Sequence, residues 1–345
     1  MRCLTLADAL AKRGARSVFL SRAHKGNLFE LVARRGYELV PLQEDASLAD
    51  AGGQQDDLYA SWLGCGWEHD TVESSEILRN LAPDWLVVDH YALDAKWEDR
   101  VSPFCKRLMV IDDLANRPHN CDLLLDQNLG RDSADYQRLL SREGTVLAGP
   151  QFALLGPRFS ELRTYSLERR RHYPIKNVLI SMGGVDQSNA TAAIIGSLKR
   201  SKLPAATRIT VVMGAAAPWV AEVRAAAESL PWQTEVVTNI SNMAERMAES
   251  DVAIGAAGST SWERCCLGLP TVMVVLADNQ LQIAQALSAG EAALLIDDLA
   301  AIQTDIPDAI EKMLCDKQLS RMSLAAAAVT DGCGVERIVE YMDAI

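Results

Sequence analysis

The stretch Val252-Ala253-Ile254-Gly255-Ala256-Ala257-Gly258-Ser259-Thr260-Ser261-Trp262-Glu263-Arg264 decides the fold. It opens as a continuous apolar run, the pattern of a strand buried on both faces. A turn of small residues follows, and then a helix begins. Working outward, similar apolar runs lie at 178–181, 209–213, 235–237 and 271–276, and before them at 18–20, 86–89, 108–111, 123–125 and 146–148. Helical stretches at 97–106, 191–200, 220–228 and 280–289 separate them. Strand and helix in alternation predict an α/β protein with parallel sheets.

The chain has 345 residues, 49% of them hydrophobic and 23% charged, with a formal net charge of −12. That composition excludes a disordered chain. The acidic balance argues against a nucleic-acid or anionic-membrane binder. The length predicts two domains, placed at 1–160 and 177–345. A charged linker, 161–176, would join them as a solvated helix carrying Glu168-Arg169-Arg170-Arg171-His172-Tyr173-Pro174. Residues 50–57, with Gly52-Gly53, read as a surface loop. The eight cysteines form no C-x-x-C pair and read as reduced, mostly small core residues. No apolar run approaches the ~18 residues of a membrane span. The expectation is a cytoplasmic monomer that uses neither metal nor cofactor. The chain opens on a helix, 2–13, closed by Gly14.

Three turns carry the chemistry expected of the second domain. Gly258 lets a ligand approach the backbone, and the amides near Ser259–Ser261 suit a diphosphate. Glu263, one turn into the helix, is placed to accept two hydrogen bonds from a ribose diol. Gly183 and Gly184, in Ser181-Met182-Gly183-Gly184-Val185-Asp186, sit at another strand end, where open α/β sheets bind ligands. Asn279 and Gln280 end a third strand with amides that can donate to phosphate or sugar. Each of these also reads as a plain turn or helix cap. The pattern is neither G-x-G-x-x-G nor a P-loop, which counts against nicotinamide cofactors and ATP. In the first domain Asp89-His90-Tyr91, Asp112-Asp113 and Pro118-His119-Asn120-Cys121-Asp122 cluster at strand ends. There Asp89 is expected to orient His90 for proton transfer.

Taken in order, Met1-Arg2-Cys3-Leu4-Thr5-Leu6-Ala7, Asp89-His90-Tyr91-Ala92-Leu93, Ile111-Asp112-Asp113 and residues 119–125, 149–155, 181–186, 255–270 and 277–280 make the chain resemble a known family. It is that of the nucleotide-sugar hydrolases of pseudaminic-acid biosynthesis. The resemblance implies hydrolysis of UDP-2,4-diacetamido-2,4,6-trideoxy-β-L-altropyranose to UDP and free sugar. It implies a GT-B architecture, with two Rossmann-like domains facing across a cleft. It places Gly183, Gly184, Gly258, Ser259, Thr260, Glu263, Asn279 and Gln280 around UDP, and Arg2, Asp89, His90, Tyr91 and Asp112 toward the sugar. The family's Gly-x-Gly-His motif, whose His is the expected general base, would fall before Met1, together with the first strand. Asp89 and His90 are the remaining catalytic candidates. The rival readings are a glycosyltransferase using a UDP-sugar donor and an inactive UDP-binding relative.

Overall fold

The computed structural model describes residues 1–24, 26–43, 59–170, 174–214 and 217–344. The expected loop at 50–57 and residues 171–173 of the basic stretch lie outside them. The chain divides into two compact units. One comprises Met1–Leu154 with Val335–Ile345, and the other Leu155–Gly334.

In the first unit β1 (Val18–Arg22) pairs in parallel with β2 (Glu38–Leu42). A second parallel sheet follows: β3 (Trp85–Val88), β4 (Arg107–Ile111), β5 (Leu123–Asp126) and β6 (Thr145–Ala148), in that order. Among the described residues β1 and β3 share no ladder, and a cavity of about 220 Å³ lies between them. Alternation along β4 divides the core. Leu108 and Val110 face one apolar cluster with Val88, Leu124 and Tyr136. Met109 and Ile111 face another with Leu123, Leu125 and Leu6 of the opening helix Arg2–Lys12.

The second cluster is closed by Val335, Ile338, Val339 and Met342 of the helix Gly334–Ala344. Their i, i+3, i+4, i+7 spacing makes one apolar stripe. The domain expected at 177–345 therefore ends earlier, because this stripe finds its partner face in the first unit.

The second unit holds one six-stranded parallel sheet. Its strands are β7 (Asn177–Ser181), β8 (Arg208–Met213), β9 (Gln233–Thr238), β10 (Val252–Ala256), β11 (Thr271–Val274) and β12 (Ala293–Ile296), in the order β12-β11-β10-β7-β8-β9. One face, with Val178, Ile180, Ile254 and Val272, packs on Ile194 and Ile195 of helix Ala190–Leu198 and on Ile306 and Ile310 of helix Ile302–Met313.

The expected linker is instead an integral helix of this unit, Pro157–Arg169. Arg163 donates to Ala327 O at 2.7 Å and Thr330 O at 2.9 Å. Buried Arg170 donates to Leu267 O and Met247 O at 2.7 Å and to Ser250 O at 2.6 Å. Helix ends leave carbonyls without partners, and these two guanidinium groups serve several such ends at once. Arg163 and Arg170 thus act as a structural clasp and not as part of a solvated run.

Candidate functional site

In the second unit the chain runs β7, β8, β9 to one side and β10, β11, β12 to the other. The strand order therefore reverses between β7 and β10, and ligands of open α/β sheets bind at such a switch point. The turns after β7, β10 and β11 are neighbours at one carboxyl edge, since Gly255 is in register with both Ser181 and Met273. All eight residues expected to surround UDP lie on these turns or just beyond them.

Their states differ. Gly183 has φ of +90°, a left-handed conformation that favours glycine. Just beyond it, Asp186 accepts from the amides of Ala190 and Thr191, each at 2.9 Å. That helix start is therefore capped by the protein's own carboxylate. After β10, the Ser261 amide bonds Gly258 O and the Trp262 amide bonds Ser259 O. Among the described residues, the amides of Gly258, Ser259 and Thr260 keep no such partner. The helix Thr260–Cys266 has seven residues, so local amides matter more here than a long dipole. Asn279 is exposed. The Gln280 side-chain carbonyl accepts from Leu276 N at 3.0 Å, so part of that amide closes its own turn.

Glu263 is mostly shielded, and its carboxylate accepts no hydrogen bond from the described residues. Burial pushes it up to about 7, against the pull of Arg264. Arg264 itself was missed in the sequence. It is 2% exposed, and its guanidinium donates to Ala256 O at 2.7 Å, Ser261 Oγ at 3.1 Å and Thr260 Oγ1 at 3.2 Å. Burial lowers it to about 10, which still leaves it charged at neutral pH. It makes no ion pair among the described residues. Gly255 makes room for it, because a Cβ there would stand 2.5 Å from Arg264 Nη1. A buried cation tying the strand end to the first helical turn fixes the shape of the loop between them. Its position three and four residues after Ser261 and Thr260 was the available signal.

In the first unit Arg2 grips Asp89 with two hydrogen bonds, of 2.7 and 3.0 Å, and reaches Asp113 Oδ2 at 2.7 Å. Tyr91 OH donates to the same Asp113 oxygen at 2.7 Å. Burial opposes the charge of Asp89, but Arg2 overrides it and holds the carboxyl below its ordinary value. The expected Asp89–His90 relay is absent. Asp89 is committed to Arg2, while His90 Nδ1 accepts from Ala92 N at 3.1 Å and Nε2 lies 3.4 Å from Trp62 O. Burial lowers the imidazole, favouring its neutral form.

Asp112, expected to face a sugar, is fully buried. It continues the β4 alternation into the core, where Arg117 at 2.7 Å, the amides of Ala115 and Leu114, and Tyr136 OH at 3.0 Å hold it. Burial opposes its charge, but Arg117 and His119 keep the carboxyl low. His119 is equally buried, with Nδ1 2.6 Å from Glu98 Oε1. The residue that joins Arg2 and Tyr91 is Asp113, the other member of the pair. Among the described residues no group of three or more His, Cys, Asp or Glu is placed to hold a metal ion, and no helix is long and apolar enough to cross a membrane.

Residues 178–336 match the glycosyltransferase family 28 C-terminal domain. Over 150 residues the chain is 27% identical to the spore coat polysaccharide biosynthesis protein SpsG of Bacillus subtilis, covering 43% of each. Over 120 residues it is 28% identical to a UDP-2,4-diacetamido-2,4,6-trideoxy-β-L-altropyranose hydrolase of Campylobacter jejuni, covering 34% of this chain and 41% of that one. The chain spans less than half the length of the curated relatives it matches. Its fold is similar to that of MurG from Acinetobacter baumannii, with a TM-score of 0.71 at 14% identity, over 100% of this chain and 95% of that one. The fold class is α/β with two Rossmann-like domains, of the GT-B type.

Proposed function

We propose that this chain acts on a nucleotide sugar, hydrolysing a UDP-linked 2,4-diacetamido-2,4,6-trideoxy sugar to UDP and free sugar. The observation that carries the reading is the β7/β10 switch point. Three turns meet there, with amides to spare after β10 and a shielded carboxylate that has no partner. The amides of Gly258, Ser259 and Thr260 would hold the diphosphate, and such fixed donors stabilise it as it leaves. The Glu263 carboxylate would accept from both ribose hydroxyls. Arg264 would keep the loop in shape and contribute unpaired positive charge. Asn279 and the free donor of Gln280 would line the same edge. In the first unit Arg2, Asp89, Tyr91 and Asp113 supply the polar groups suited to a sugar. The likeness to the Campylobacter hydrolase favours water as the acceptor, and the family 28 match favours a glycosyl acceptor instead.

The deciding measurement is UDP release from the UDP-sugar with no acceptor present. Release supports hydrolysis. Release only when a sugar acceptor is added transfers the assignment to a glycosyltransferase. Titration calorimetry with UDP tests the nucleotide site separately. Glu263→Gln is expected to lose on the order of tenfold in UDP affinity. Only the ionised carboxyl accepts from both hydroxyls. Wild-type affinity should therefore fall about tenfold from pH 8 to pH 6, below the value of about 7. The variant should lack that share of the dependence and keep only the part that comes from the terminal phosphate of UDP, whose second pKa is about 6. Equal affinity in variant and wild type would remove the ribose role.

A further inference from the structure

Three aromatic side chains in the first unit meet beside the polar groups that the proposed function gives to the sugar. The ring centroids of Tyr59 and Trp62 are 5.1 Å apart, those of Tyr59 and Tyr91 5.1 Å, and those of Trp62 and Tyr91 6.0 Å. Trp62 remains 54% exposed. A large ring left in water forgoes the stabilisation that burial would give. The turn carrying it, Ala60–Leu63, is anchored by buried Leu63 and by the contact of the His90 ring with Trp62 O.

We infer that the exposed Trp62 ring, buttressed by Tyr59 and Tyr91, forms a stacking platform for the C–H face of a pyranose ring, with the Arg2, Asp89 and Asp113 cluster at its rim. The inference rests on the nucleotide-sugar reading above, and names the residues that would discriminate the sugar. The chemistry at the rim selects the occupant. Tyr91 OH and Arg2 both bind Asp113 Oδ2, while Asp113 Oδ1 is buried without a partner. Asp89 stands on the other arm of Arg2. Carboxylates beside an aromatic surface repel the phosphates of a nucleic acid. An acyl chain or an apolar peptide would leave the polar rim unsatisfied. A sugar ring offers both an apolar C–H face and polar groups at its edge.

The test is saturation-transfer NMR on the full chain with N-acetyl-D-glucosamine as the probe. Wild type should transfer saturation to the ring and acetyl protons. Trp62→Ala should reduce that transfer about 5- to 10-fold. Trp62→Phe, which keeps an aromatic face, should retain most of it. Trp62 is exposed, so neither variant should shift Tm by more than about a degree or two. Absence of transfer in wild type, or equal transfer in Trp62→Ala, overturns the platform. UDP calorimetry on the same samples separates the two readings. Normal UDP binding with no sugar transfer sinks the platform alone. Sugar transfer with no UDP binding sinks the nucleotide reading alone.

Discussion

The carboxyl edges of the two sheets spend their polar groups in opposite ways. At the β7/β10 edge of the second unit, among the described residues, three backbone amides and the Glu263 carboxylate stay unspent, beside an Arg264 guanidinium that ties the loop and has no ion pair. At the β3/β4 edge of the first unit nearly every charge is neutralised by a neighbour. Arg2 holds Asp89 and Asp113, and Arg117 holds Asp112. Polar side chains at strand ends therefore differ in how much hydrogen-bonding capacity they leave for a ligand. What matters is whether they are already satisfied, and that is a property of the fold.

The largest expected effect comes from breaking the satisfied side. Asp112→Ala would leave the Arg117 charge without its carboxylate and two amides without an acceptor in a buried site. It should cost about 3–5 kcal/mol by chemical denaturation and leave UDP affinity in the surviving folded protein unchanged. A cost below about 1 kcal/mol would mean that the network is not structural.

The next effect sharpens the comparison through pH. Tyr136 OH lies 2.8 Å from Asp126 Oδ2 and 3.0 Å from Asp112 Oδ2, yet has one proton to give. Burial pushes Asp126 up to about 7, against the Asn128 amide and the phenol. Between its unfolded value and about 7 the folded state keeps a proton that the unfolded state releases. Stability should accordingly fall as pH rises through that window, by on the order of 4 kcal/mol in all. Asp126→Asn should flatten the profile of Tm against pH between 5 and 8. An unchanged slope would assign the titration elsewhere.

The smallest effect probes the unsatisfied side. Gly255→Ala must displace the Arg264 guanidinium, at a cost of about 1–3 kcal/mol. It should also weaken UDP binding, because the loop after β10 loses its tie. Calorimetry showing normal affinity in a destabilised variant would confine Arg264 to packing.

Much of the fold was legible in the sequence, because strands buried on both faces are continuous apolar runs. β2 was missed because it carries Pro41 and opens on Glu38, and only an edge strand tolerates that proline. β12, at the other sheet's edge, was also passed over, although the apolar run at 292–296 is as long as those read as strands. The turns after β7, β10 and β11 were readable because small residues and amides cluster there. The roles of Asp112 and Asp113 were not assigned, because both faces of β4 are buried and its alternation does not tell the two apart. The commitment of Asp89 to Arg2 joins residues 87 positions apart, and no local pattern reports such a pairing.

The helix Gly334–Ala344 makes the second unit an insertion within the first. During synthesis the face formed by Met109, Ile111, Leu123 and Leu125 emerges from the ribosome long before Val335, Ile338, Val339 and Met342. At ordinary elongation rates that delay is on the order of 10–40 s. For that interval the nascent chain presents an apolar face whose cover is still untranslated.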